Sequence, residues 1–74
     1  MIIVNCALRQ DDIVGIIENI EIENEKVFKC SKKQGLQLYF ECNLSDEQKA
    51  ASIIKQTIKD TDLGKALFFS VAVK

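Results

Sequence analysis

The stretch Asp11-Asp12-Ile13-Val14-Gly15-Ile16-Ile17-Glu18-Asn19-Ile20-Glu21-Ile22-Glu23-Asn24-Glu25 decides how the remainder of the chain is read. Ile13, Ile16, Ile17 and Ile20 recur at the i, i+3, i+4, i+7 spacing of one helical face. The carboxylates of Asp11 and Asp12 suit a helix N-terminus, where unpaired N–H groups and the macrodipole favour negative charge. Val14, Gly15 and the isoleucines lower helix propensity, so a strand over residues 13–17 stays open as the alternative. Ile20-Glu21-Ile22-Glu23 then alternates as a strand does. It either opens the next strand or forms a short extra one, with a turn at Asn24-Glu25.

On the N-terminal side, residues 2–8 are rich in β-branched side chains and alternate weakly, with Ile2, Val4, Cys6 and Leu8 on one face. On the C-terminal side, residues 26–30 and 36–42 have a period close to two, separated by Ser31-Lys32-Lys33-Gln34-Gly35; that is a hairpin. Leu36, Leu38, Phe40 and Cys42 are expected inward, Gln37, Tyr39 and Glu41 outward. Ser45-Asp46-Glu47-Gln48 matches a capping box, so a helix is expected from there, with Ala50, Ile54, Thr57 and Ile58 as its buried stripe. Leu63-Gly64 reads as its termination, with glycine in the left-handed conformation. Residues 66–73 form the last strand. Both of its faces are largely apolar, which calls for burial on two sides or a partner.

The order is βαββαβ: an α+β two-layer sandwich with two helices on one face of an antiparallel sheet, as a single domain over residues 1–74. It resembles the ferredoxin-like arrangement, with the first and third strands central. The resemblance is one of architecture alone, and fold analogy at this level licenses no function.

Seventy-four residues hold one core, and a chain this short buries roughly 60% of its unfolded surface. Domains of this size often gain stability by pairing with a copy of themselves, so a homodimer is expected. Ten basic and 11 acidic residues leave a net charge of -1, too little to steer the chain to phosphate backbones or anionic lipid. No apolar run approaches the ~20 residues of a membrane span. The first residues read as a strand and not as a secretory leader, which points to the cytoplasm. Three cysteines, Cys6, Cys30 and Cys42, make a poor disulfide framework and are expected to be reduced.

Chemistry is sparse. Histidine is absent, which removes the commonest acid–base group and the Ser-His and Cys-His pairs. The thiols sit among aliphatic residues, where they act as small hydrophobes, and they lack the count and spacing of a metal site. No metal or cofactor is expected. Asp60-x-Asp62-x-Gly64 lacks the remaining ligands of a calcium loop. Three glycines form no phosphate cradle. Lys29, Lys32 and Lys33 near the hairpin turn are candidate anion contacts, with a solvated loop as the plainer reading.

The sheet face away from the helices carries the one informative pattern. Alternation assigns it Ile3, Asn5, Val27, Gln37, Tyr39, Glu41, Phe68 and Ser70, an apolar patch large enough to be functional. A register shift by one residue would exchange the two faces. Three readings follow. The first is a non-catalytic protein-interaction or small-ligand-sensing domain that homodimerises through its sheet, either by the open face or by pairing edge strands. The second is a single-stranded RNA reader with Tyr39 and Phe68 as stacking platforms, which the acidic residues disfavour. The third is a small enzyme with an intersubunit pocket lined by Asn5, Tyr39, Glu41 and Ser70.

Overall fold

The computed structural model describes all 74 residues. Strand β1 (Ile2–Cys6) leads into helix α1 (Gln10–Glu18), followed by a miniature hairpin, β2 (Glu21–Ile22) and β3 (Glu25–Lys26). The long hairpin β4 (Phe28–Gln34) and β5 (Gln37–Cys42) comes next, then helix α2 (Glu47–Lys59), a short helix α3 (Asp62–Ala66) and strand β6 (Phe69–Val73). Four strands make one antiparallel sheet in the order β4-β5-β1-β6, while β2 and β3 pair only with each other. The chain is thus a compact α+β domain.

The 11–25 stretch resolves as a helix followed by a hairpin. Ile13 and Ile17 are fully buried, and Ile16 and Ile20 pack against the same core from its margin. Burying one side of the isoleucine stripe therefore outweighs the modest β-branched propensity deficit. The turn falls at Glu23-Asn24, both with positive φ (54° and 67°), as the right-handed twist of a two-residue hairpin demands.

Side chains alternate as the sheet requires. Ile2, Val4, Cys6, Leu38 and Phe40 point to the helices and meet Ile13, Ile17, Ala50, Ile54 and Ile58 in one cluster. Thr57 is half-buried, its hydroxyl turned back to the Ile53 carbonyl. At one end of the sheet Gln10 locks three elements together: its amide donates to the carbonyls of Cys6 and Gly35, both at 2.9 Å.

Local signals differ from expectation in five places, the first being that β1 ends at Cys6 and leaves Leu8 beyond it, largely exposed. The cap of α2 is Asp46, whose carboxylate accepts the Lys49 N–H at 3.1 Å; an aspartate caps as well as a serine, and it lies one residue closer to the helix. Gly64 does not end α2, which stops at Asp60. It lies inside α3, capped by Thr61, and passes so close to the end of α2 that a Cβ would overlap the Ile58 carbonyl and lie 2.8 Å from the Lys59 Cα. Leu36 is not inward but 61% exposed, because the hairpin loop is only Gly35-Leu36, with Gly35 supplying the positive φ. Ala66 belongs to α3, so the last strand starts at Phe69.

Candidate functional site

The uncovered sheet face is built from the register. Ile3 pairs with Tyr39 and Ala72, Asn5 with Gln37 and Ser70, and Lys29 with Glu41, all opposite in sense to the core-facing residues. Asn5 donates to the Ser70 hydroxyl at 3.1 Å, and the Tyr39 hydroxyl donates to Gln37 Oε1 at 2.7 Å. Four of the polar residues assigned to this face therefore pair with one another, while Glu41 stays exposed outside both bonds.

Its apolar content is smaller than alternation implied. Val27 is not on this face: it precedes β4 and is buried in the helix-side cluster together with Phe28. Ile3 and Tyr39 are buried as well, and the Lys32 ammonium lies 4.6 Å from the centre of the Tyr39 ring. A stacking platform already covered by a cation is closed to a nucleobase. Phe68 is the exception, at 99% exposed. It flanks an open groove of about 370 Å³ at the start of β6, shared with Asn5, Cys6, Ala7, Leu36, Phe69 and Ser70.

Of the three lysines, Lys29 and Lys32 share the open side, opposite Glu41 and Tyr39, and Lys33 leaves it. A bulge between Cys30 and Lys32 shifts the register, so Lys32 faces Tyr39 on the open side while Lys33 stands opposite Leu38 on the helix side. There Lys33 pairs with Asp11, whose carboxyl is held below its ordinary range by that hydrogen bond and charge, while the lysine is pushed up. Any stability from this lowered carboxyl is present above the unfolded aspartate pKa and lost as pH falls through the folded value. In a Lys33→Ala variant the Asp11 carboxyl is expected to titrate back in the ordinary range, followed by carbon-detected NMR; an unchanged midpoint would remove the pair from the explanation.

Burial raises the Cys6 thiol pKa, and burial together with the Glu18 carboxylate raises that of Cys30, so both are protonated at neutral pH. All three cysteines are free, and no three Cys, Asp or Glu side chains gather as a metal site. No helix is long and apolar enough to cross a membrane.

The two sheet edges differ sharply. Along β4 the bulge breaks the line of the strand, Lys29, Lys32 and Lys33 supply charge, and Glu18 accepts the outward N–H of Cys30 at 3.0 Å. These are the devices that stop one sheet from adding another strand. Strand β6, Phe69-Ser70-Val71-Ala72-Val73, has no charge, proline or bulge, and pairs regularly with β1 along its length. Its inward hydrogen bonds can be assigned. Lys74 N donates to Met1 O at 2.9 Å and the Met1 ammonium to Lys74 O, which makes this a bonded pair. In an antiparallel ladder such pairs alternate, so Ala72 and Ser70 also bond to β1. Phe69, Val71 and Val73 turn their N–H and C=O groups to the open edge. An order with the first and third strands central already sets the last strand at an edge; the sequence does not show that the other edge is guarded, because the β4 bulge and the Glu18 contact depend on tertiary pairing. No family model, curated protein sequence or solved structure is matched by this chain.

Proposed function

We propose that this domain is a non-catalytic interaction module that binds another polypeptide by strand addition at β6. The observation that carries the reading is the contrast between a guarded edge and an unguarded one in the same sheet. Main-chain groups of Phe69, Val71 and Val73 supply the hydrogen bonds in such binding, and the side chains of an added strand would extend the half-exposed apolar row beside them. Fully exposed Phe68 and the groove beside it offer an apolar anchor at the end of that row.

The order β4-β5-β1-β6, with the first and third long strands central, supports reading the scaffold as ferredoxin-like, the β2–β3 hairpin being an insertion between α1 and β4. Three free thiols fit a reducing compartment such as the cytoplasm. Titrating the protein with a synthetic peptide of residues 68–74 tests the reading. Saturable shifts of the β6 amides and their β1 neighbours are expected in NMR spectra. Shifts confined to β4, or none, would contradict strand addition at this edge.

A further inference from the structure

We propose that the polypeptide added at β6 is a second copy of this chain, joined antiparallel across a two-fold axis at Val71; this rests on β6 being the interaction edge and names its occupant. Parity sets the register. The outward groups belong to Phe69, Val71 and Val73, and an antiparallel strand exchanges hydrogen bonds only at alternate positions. With the axis at Val71, Phe69 meets Val73 of the second copy, Val71 meets its own counterpart, and Val73 meets Phe69. Every outward donor and acceptor of β6 is then matched, and all five residues of the strand are paired.

A shift of the axis to Ser70 keeps the parity but sets Val73 against Leu67, whose N–H is already donated to the Leu63 carbonyl at 2.9 Å. The Val71 axis has no such conflict. It is also isologous, so the same patch serves both subunits and the assembly closes at two.

Side-chain placement fits a second copy specifically. Paired residues share a face, so the half-buried Phe69, Val71 and Val73 of both subunits form one apolar row beneath the helices. Because β6 carries no charge, no like charges meet at the axis. On the other face Phe68 falls opposite Lys74 of the second copy and diagonal to its Ala72. Its ring can there lie against the lysine stem and ammonium. The one fully exposed aromatic thereby gains a surface to cover. The result is a continuous sheet twice as wide, bounded at both ends by guarded β4 edges.

Val71→Pro is the direct test. It removes the N–H at the axis, whereas Val71 is a non-bonded partner of Val4 in the β1 ladder, and proline is accepted where an edge N–H faces outward. Sedimentation equilibrium is expected to show a wild-type dimer and, for folded Val71→Pro, dissociation at least about 30-fold easier, from the loss of one hydrogen bond per subunit. A wild-type monomer at high concentration would overturn the second copy as occupant and leave the peptide experiment to judge the edge. A dimer undisturbed by the proline would overturn the register. Should the proline variant not fold, Val71→Cys decides. The two introduced thiols would sit on Cα atoms about 5.5 Å apart, within disulfide reach. Mild oxidation is expected to yield a dimer covalently linked between the two copies of position 71, mapped by mass spectrometry. Ala72→Cys, a diagonal of about 7–8 Å from its counterpart, is expected to link poorly. Equal linkage of the two variants, or none at position 71, would exclude the Val71 axis.

Discussion

Replacing Gly64 by alanine is expected to destabilise the domain by about 3 kcal/mol, the upper part of the range for forced overpacking. The added methyl would collide with the Ile58 carbonyl and the Lys59 backbone, and neither can move freely because both belong to the last turn of α2. Relief requires α3 to lift away, which disturbs the Thr61 hydroxyl cap on the Gly64 N–H at 3.2 Å and the approach to β6. In a domain of this size that loss lowers the melting temperature by roughly 12–24 °C. Gly15→Ala is the matched control. No atom lies within 4 Å of a Cβ there and the position is helical, so alanine is expected to add about 0.5–1 kcal/mol. Thermal melts of the two variants check the pair. Equal effects would show that the close approach of α3 to α2 is not what holds Gly64.

Phe40→Ala is expected to cost about 3–5 kcal/mol, the usual range for truncating a buried aromatic. Phe40 is fully buried on the central strand β5, pairing with Ile2 on one side and Cys30 on the other, in the cluster that α1 and α2 cover. A 74-residue domain has about 4–11 kcal/mol of total stability, so this single truncation approaches the whole of it. Phe68→Ala, by contrast, removes a ring that packs on nothing within the subunit. Its unfolding midpoint in urea is expected to stay near that of wild type when measured on the monomer, while Phe40→Ala falls far below. A large loss from Phe68→Ala in the monomer would mean that its exposure is misjudged.

The sequence was most readable where one local pattern had one outcome. Of the α2 stripe, Ala50, Ile54 and Ile58 are buried as the spacing requires and Thr57 is half-buried; of the inward set, Leu38 and Phe40 follow alternation, Cys42 is half-buried and Leu36 is exposed. The helix at Ile13–Ile17 was recoverable only as one of two readings, since a β-branched amphipathic stretch suits either element until tertiary burial selects one. Gly64 misled because glycine serves both as a left-handed cap and as a point of close approach, and only coordinates separate the two. The candidate surface was harder still. Tyr39 and Ile3 pair with each other on the side away from the helices, but nothing in their spacing says that neighbours would cover them. Strict alternation puts Val27 on the open face only if it runs past the start of β4, and Val27 lies before that start, in the core cluster. The bulge in β4, which divides Lys32 from Lys33, leaves no mark in composition. Phe68 was identified with the open face, yet its significance comes from lying beside the unguarded one of two edges, and that contrast depends on tertiary pairing along β4.

Amide hydrogen exchange along β6, measured by NMR across a range of protein concentrations, tests the central claim most directly. In an isolated subunit Ser70 and Ala72 are held by β1 while Phe69, Val71 and Val73 donate outward to water. As concentration rises, protection of Phe69, Val71 and Val73 is expected to climb towards that of Ser70 and Ala72, with the outer edge of β4 unchanged. If those three amides exchange freely at every concentration, or if new protection arises along β4 instead, β6 is not the edge through which this domain associates.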